Sequence, residues 1–213
     1  MDSALRLQRI LVGIDFGSTS LAAARWVATH FASDAELALA HVIALPRIPS
    51  YLRSVVPPPH VLLDQIAPQA RGGLRGFAST LGAGAARTEL LVGIPSERLA
   101  TCAEDLGADM VVVGRTHQSA GTWKRIGSTA DRLIRQVRVP VLIATGALTE
   151  PPRRILAAVD DGEAGNELLR VSQTLAMQLG AELIALHVVS RRVSAYAAAA
   201  VPVAAHVGSV HTA

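Results

Sequence analysis

The chain has 213 residues, of which half are hydrophobic and 3% aromatic, and its formal net charge is +3. This length suits one ordinary domain with a remainder, or two small domains. Its positive residues are scattered and lack interleaved aromatic side chains, which argues against a nucleic-acid-binding protein. A core built from Ala, Val, Leu and Ile favours α/β layering over an aromatic-pinned β-sandwich.

Cysteine content and the N-terminal segment indicate the compartment. Cys102 is the single cysteine, so no internal disulfide forms, which is typical of a reducing environment. The N-terminal MDSALRLQRI has no apolar segment of the secretory type. No stretch reaches the roughly 18 apolar residues that a membrane helix needs. We therefore expect a cytoplasmic protein that makes no membrane contact.

Apolar runs predict five strands in the first two thirds of the chain, at residues 10–14, 37–43, 88–92, 110–113 and 140–144. Helical periodicity between them predicts four helices: from Ser18 or Ser20, over 60–82 with an interruption at Gly72-Gly73, from Pro95, and from Ser128. Cys102 is expected in the core, and Ile134 is expected to face inward. Strands that alternate with helices imply a parallel sheet with helices on both faces.

The start of the chain is repeated near its end. ILVGIDFGSTS from Ile10 resembles ILAAVDDGEAG from Ile155, and AELALAHVI from Ala35 resembles AELIALHVV from Ala181. Nine positions have identical partners: Ile10, Leu11, Asp15, Gly17, Ala35, Glu36, Leu37, His41 and Val42. This agreement in register indicates a duplicated strand–helix–strand unit.

The second copy is incomplete. A strand at 154–159, a helix with Leu168, Val171, Leu175 and Leu179 on one face, and a strand at 183–189 precede an Ala-rich tail. So short a unit cannot build an independent core. We predict a complete domain over 1–146, a linker over 147–153 and a truncated second repeat over 154–213.

Two loops of the first copy carry groups suited to a ligand. In an open parallel sheet, ligands bind beyond the carboxyl ends of the strands, where the strand order reverses. Asp15-Phe16-Gly17-Ser18 follows the first strand, and GRTHQSAGTWKRIGST follows the fourth strand from Gly114. Gly127-Ser128-Thr129 at a helix start offers free N–H groups to an anion, and Arg115, Lys124 or Arg125 could assist.

These residues resemble a family. The pattern Gly-x2-Gly-x9-Gly-[Ser/Thr] is the nucleotide signature of the ATP-binding universal stress proteins, and here Gly114, residues 118–126 and Gly127-Ser128 keep its spacing. The resemblance covers 8–145 and the start of the second repeat, including IDFGS, AHVI and Gly93-Ile94-Pro95. It implies an open five-stranded parallel sheet of order 3-2-1-4-5, Rossmann-like, followed by the partial second copy.

The resemblance also implies a site and a role. Asp15 would lie at the base and ribose, Val42 would offer its backbone to adenine, and Val113-Gly114 would line the nucleotide. Gly127, Ser128 and Thr129 would hold the phosphates, with Arg115 nearby. The implied ligand is ATP or a related adenine nucleotide, alone or with magnesium, in a regulatory role in the stress response. The family further implies a homodimer through the strand Pro140–Ala144, whose apolar edge would otherwise stay unpaired.

One position departs from the signature, and several residues have plainer interpretations. His117 stands where the second glycine belongs, so its ring either obstructs the phosphates or contacts them. Instead of binding a ligand, Asp15 could serve to cap a turn, and Ser128 and Thr129 could be ordinary helix caps. His41 and His187 occupy matching positions and are expected to be structural. Asp160-Asp161 repeats the Asp15 turn without the phosphate-binding half, so this second site is expected to be empty.

No enzyme class is favoured. The chain has no Walker loop, nucleophile elbow, His-Glu-x-x-His motif or paired cysteines. Slow ATP hydrolysis is the most that the residues suggest, and an adenylate-forming or flavin-carrying relative would need motifs that are missing. The alternative function is a dimeric protein-interaction module that binds no nucleotide.

Overall fold

The computed structural model describes residues 7–31, 35–45, 57–82, 86–115, 126–146 and 148–188. They fall into two units. The larger unit spans Leu7–Thr149, and the smaller contains the described residues from Glu150 onward. Each unit is described by itself below. The boundaries 1–146, 147–153 and 154–213 stay a prediction.

The larger unit is a five-stranded parallel sheet with helices between its strands. In chain order its elements are β1 (Arg9–Gly13), α1 (Ser18–Phe31), β2 (Glu36–Ile43), α2 (Pro59–Ser79), β3 (Arg87–Val92), α3 (Pro95–Leu106), β4 (Met110–Gly114), α4 (Ser128–Ile134) and β5 (Val141–Ala144). The strand order is β3-β2-β1-β4-β5, and every pair is parallel. The predicted fold is therefore confirmed, including its strand order.

The strands are apolar along their length because the middle of the sheet is buried on both faces. Leu11, Val12, Val111 and Val112 are fully buried in β1 and β4. One core cluster joins this sheet to α3 and α4 and includes the buried Cys102, as predicted. Burial raises the pKa of the Cys102 thiol to about 11, with smaller contributions from the charges of Glu89 and Asp105.

Two expectations about the helices are wrong. α2 runs without interruption through Gly72-Gly73 and also contains Pro68. Each helical glycine costs about 1 kcal/mol relative to alanine, and the burial of Leu74 and Phe77 on the same helix offsets that cost. Ile134 is 47% exposed because α4 ends there and the chain turns away.

The smaller unit has one strand–helix–strand motif: β6 (Arg154–Val159), α5 (Glu163–Leu179) and β7 (Glu182–His187). β6 and β7 pair in parallel, which confirms the duplicated unit. The helical face differs in part from the prediction. Gly165, Ser172 and Ala176 are the buried positions of α5, whereas Leu168 is 40% exposed.

Candidate functional site

The strand order reverses between β1 and β4. From β1 the chain passes through α1 to β2 on one side, and from β4 it passes through α4 to β5 on the other. The carboxyl ends of β1 and β4 lie side by side, since Gly13 is in register with Val113. This is the position at which open α/β sheets bind ligands.

Asp15 organises the turn between β1 and α1. Its Oδ1 accepts the Gly17 N–H at 2.9 Å and a hydrogen bond from the Ser20 hydroxyl. The Ser20 Oγ also accepts the Asp15 N–H at 3.3 Å. Asp15 is exposed, whereas Ser20 is buried. Oδ1 therefore caps the turn, as one of the two interpretations of Asp15 predicts. Among the described residues, Oδ2 makes no hydrogen bond.

Gly114 is in close contact with the start of α1. A Cβ built on Gly114 would lie 2.6 Å from the Ser20 nitrogen and 2.9 Å from its Cα. Only glycine allows this approach, because real Cβ atoms do not come so near to backbone atoms. The signature glycine thus brings the end of β4 against the Asp15 turn.

The N-terminus of α4 is open. Gly127 is its N-cap with φ 104°, a conformation that favours glycine, and no side chain caps this end. Ser128 is exposed and Thr129 is half-buried, and a Cβ on Gly127 would meet none of the described residues within 4 Å. Among the described residues, no side-chain hydrogen bond from Ser128 or Thr129 caps α4, so nothing supports their interpretation as ordinary helix caps.

Arg115 follows Gly114 directly. Its backbone N–H donates to the Ala144 carbonyl at 2.8 Å, which fixes it beside β5. Its Nε is buried and, among the described residues, has no hydrogen-bond partner. A buried donor without an acceptor is costly, so this position favours an anionic or carbonyl ligand.

Val42 and Val113 lie on β2 and β4 at the same edge. The pairing of β1 with β2 ends with Ile14 N–H donating to Ala40 O, two residues before Val42. The backbone of Val42 therefore extends beyond β1 on that side. The Val113 side chain is buried and that of Val42 packs against the core cluster, so only main-chain atoms are offered here.

Sequence reasoning missed Phe16 and understated His41. Phe16 has φ 61°, which is unusual for a residue that is not glycine. Its ring lies 4.7 Å from the His41 ring and beside the Cα of Gly73 on α2. His41 Nδ1 donates to the Ile14 carbonyl at 2.7 Å. No residue pattern predicts a positive φ at Phe16, but the duplicated histidine was a usable signal.

The second copy repeats the turn but not the site. Asp160 Oδ1 accepts the Gly162 N–H at 3.3 Å, and His187 Nδ1 donates to the Val159 carbonyl at 3.0 Å. The two histidines therefore make the same contact in the two copies, each with the carbonyl at the end of the preceding strand. Gly165 replaces Ser20, and a Cβ there would clash with the carbonyl oxygen of Asp160.

The predicted site residues come together at one edge of the sheet, except where they fall outside the described residues. Asp15, Val42, Val113, Gly114 and Arg115 end or follow adjacent strands, and Gly127, Ser128 and Thr129 begin α4. His117, Lys124 and Arg125 lie outside the described residues. Among the described residues, no group of His, Cys, Asp and Glu is arranged to hold a metal ion.

The family model of the universal stress protein family matches residues 6–145 and again residues 152–210. The chain belongs to the universal stress protein family. Each matched segment contains one of the two copies that the sequence repeat indicates and one of the two sheets. The predicted family resemblance is confirmed. No curated protein matches the chain.

Solved universal stress proteins share the fold. UspA from Lactobacillus plantarum is 23% identical over 65% of this chain and 98% of its own, with a TM-score of 0.54. A universal stress protein from Archaeoglobus fulgidus is 19% identical over 92% of this chain and 74% of its own, with a TM-score of 0.66. A third, solved in complex with cAMP, is 24% identical over 65% of this chain and 97% of its own, with a TM-score of 0.44.

In the described part of the chain, no helix has the length and apolar character to cross a bilayer.

Proposed function

We propose that the larger unit binds ATP, or a related adenine nucleotide, as a regulatory ligand in the cytoplasmic stress response. The observation that carries this proposal is the contact between Gly114 and the backbone of Ser20. It joins the end of β4 to the Asp15 turn at the point where the strand order reverses, which is where a nucleotide is expected in such sheets.

In this proposal each residue has a separate task. Asp15 Oδ2 accepts from the ribose, and the Val42 backbone meets the adenine edge. The backbone of Val113-Gly114 lines the space between them. The uncapped amides of Gly127, Ser128 and Thr129 bind the phosphates.

Binding the negative charge of a triphosphate requires more favourable contacts than one helix N-terminus supplies. The dipole at a helix N-terminus contributes only about 0.3–1 kcal/mol at an exposed site. Arg115 supplies a positive charge beside β4, and an anion would give its buried Nε a partner. His117 is proposed to contact phosphate, and magnesium, where present, would reduce the remaining repulsion. We propose no faster chemistry than slow ATP hydrolysis.

The second candidate function is an interaction module without nucleotide. The hydrogen bonds that Asp15 Oδ1 accepts from Gly17 and Ser20 favour it, because they give Asp15 a role as a turn cap. Both candidates include a homodimer through β5, which lies at the edge of the described sheet next to β4. Mass spectrometry of the denatured purified protein separates them, since only the first predicts released adenine nucleotide.

A thermal shift tests the site itself. ATP at about 100 times its dissociation constant adds about 2.7 kcal/mol of stability. For a domain of this size that raises Tm by roughly 5–10 °C. Gly127→Trp fills the open space before α4 and should abolish the shift.

Gly82→Trp is the matched control. Gly82 also has a positive φ, of 66°, and a Cβ there would also meet none of the described residues within 4 Å, but it lies after α2. The control therefore also places a tryptophan at a positive φ, but outside the proposed site, and should keep the ATP shift. A shift that survives Gly127→Trp, or no shift in the unaltered protein, overturns the nucleotide proposal.

A further inference from the structure

β6 has one unpaired edge in the described structure. Its equivalent in the first copy, β1, is flanked by β2 and by β4. Among the described residues of the smaller unit, β6 pairs with β7 alone. A strand edge with unpaired N–H and C=O groups is a template for another strand.

The hydrogen-bond pattern shows which groups this edge presents. Glu182 N–H donates to Arg153 O, and a parallel ladder alternates its bonds along the strand. The N–H and C=O groups of Arg154, Leu156 and Ala158 therefore point to the open edge. The first-copy equivalent of Arg154 is Arg9. Its carbonyl accepts the N–H of Asp109, the residue just before β4.

One face of the same two strands is apolar and uncovered. Leu156 is 60% exposed and Leu186 is 43% exposed. The first-copy equivalent of Leu156 is Leu11, which is fully buried in the cluster that α3 covers. No described helix of the smaller unit takes the place of α3.

The charges at the ends of β6 are self-complementary. The sequence RRILAAVDD begins with Arg153-Arg154, continues with five uncharged residues and ends with Asp160-Asp161. All four charged residues are exposed. Asp161 faces His187 at 3.6 Å, and Asp160 keeps its turn bond to Gly162.

We propose that β6 pairs antiparallel with β6 of a second copy of this chain, with the two-fold axis at Ala157. This register places Leu156 opposite Ala158 of the other copy, so the groups that point to the open edge form the hydrogen bonds. It also places Arg154 opposite Asp160 and Arg153 opposite Asp161. A shift by two residues in either direction keeps the backbone bonds but loses this charge match.

The contact is isologous, because each copy uses the same surface. It extends the two-stranded sheet to four strands in the order β7-β6-β6-β7 and enlarges the apolar face. One short edge and exposed ion pairs make a weak dimer rather than a permanent one. It is independent of the nucleotide proposal and uses a different strand from the β5 contact.

Disulfide trapping tests the register. In the full chain with Cys102→Ser, Leu156→Cys and Ala158→Cys variants are purified separately and then mixed under mild oxidation. Opposite residues are close enough for a disulfide, whereas the diagonal pairs formed within each single variant lie about 7–8 Å apart. The mixture should crosslink at least ten times faster than either variant alone.

Met177→Cys on α5 is the collision control, because Met177 is 75% exposed and is not part of the strand that forms the proposed contact. If the mixed pair crosslinks no faster than Met177→Cys, the proposal is wrong. Equal rates in the mixture and in either single variant overturn the register.

Charge reversal tests the complementarity through the same crosslink. In the proposed register, Arg153→Asp places an aspartate opposite Asp161 of the other copy, and Asp161→Arg places an arginine opposite Arg153. Each change, made in both cysteine partners, should slow crosslinking about tenfold. Mixing an Arg153→Asp partner with an Asp161→Arg partner should restore the rate. Arg170→Asp on α5 makes the same change in net charge as Arg153→Asp and should leave the crosslinking rate unchanged. If mixing the Arg153→Asp and Asp161→Arg partners does not restore that rate, the proposal is wrong.

Discussion

The Cα of Gly114 lies against the first turn of α1, so that a Cβ on Gly114 would stand 2.6 Å from the Ser20 nitrogen. Relief of that contact requires β4 and α1 to move apart. We expect Gly114→Ala to reduce the free energy of unfolding by about 1–3 kcal/mol, the usual cost of overpacking. Urea denaturation measures this loss.

Gly76→Ala is the matched control for Gly114→Ala. Gly76 lies inside α2, and a Cβ there meets nothing within 4 Å. Alanine should stabilise the helix by about 0.5–1 kcal/mol. If Gly114→Ala and Gly76→Ala reduced the free energy of unfolding equally, the close approach of β4 to α1 would not be the cause of the loss in Gly114→Ala.

His41 is expected to stabilise the end of β1. Its ring donates to the Ile14 carbonyl at 2.7 Å and packs beside Phe16. We expect His41→Ala to cost about 1–2 kcal/mol, because it leaves a partly buried carbonyl without its donor. His41→Asn keeps a donor in reach and should recover part of the loss. His187 is exposed, and its Nδ1 lies 3.0 Å from the Val159 carbonyl, so His187→Ala should reduce stability by less than His41→Ala. The opposite ranking in thermal denaturation would contradict this account.

Arg115 should affect stability and ligand binding in opposite directions. Its Nε is buried without a partner among the described residues. Arg115→Met removes that unsatisfied donor, so the protein without ligand should be equally or more stable. ATP affinity should fall about tenfold, as expected for the loss of one charged contact.

Arg135→Met is the control for Arg115→Met. Arg135 is exposed and pairs with Asp131 at 2.7 Å on α4. Its removal should change neither ATP affinity nor stability beyond about 1 kcal/mol. Calorimetric titration that gives Arg115→Met and Arg135→Met the same affinity would argue against Arg115 as a ligand.

Cys102 predicts a pH dependence. Burial raises the pKa of its thiol from 9.0 to about 11. In the unfolded chain the thiol ionises first, so the stability that the neutral buried thiol provides is present below pH 9 and is lost as the pH rises toward 11. Thermal denaturation should therefore show a steeper fall of Tm over this range than in Cys102→Ala. Parallel curves for the two proteins would contradict the raised pKa.

The sequence predicted the sheet well because its signals are physical and repeated. Continuous apolar runs such as 110–113 occur where strands are buried on both faces, and the structure has a strand at each such run. The duplicated Asp15 and Asp160 turns gave the second copy the same local geometry. The strand order itself came from the family resemblance.

The remaining features depend on tertiary contacts. Gly72-Gly73 signals a helix break, but packing of Leu74 and Phe77 keeps α2 continuous. The left-handed backbone of Phe16 cannot be anticipated from a phenylalanine. At the site, sequence spacing predicted that a ligand approaches Gly114, and this stays a prediction. Its contact with Ser20 is a long-range fact that only the fold supplies.

The most direct test of the central claim is an amide NMR titration of the protein with ATP. We predict that the N–H resonances of Gly127, Ser128 and Thr129 shift together with those of Asp15 and Gly114 and saturate at one common dissociation constant. The Gly162 turn of the second copy should not respond. If the three amides of α4 stay unchanged at saturating ATP, no nucleotide phosphate binds at this helix, and the account of the site is wrong.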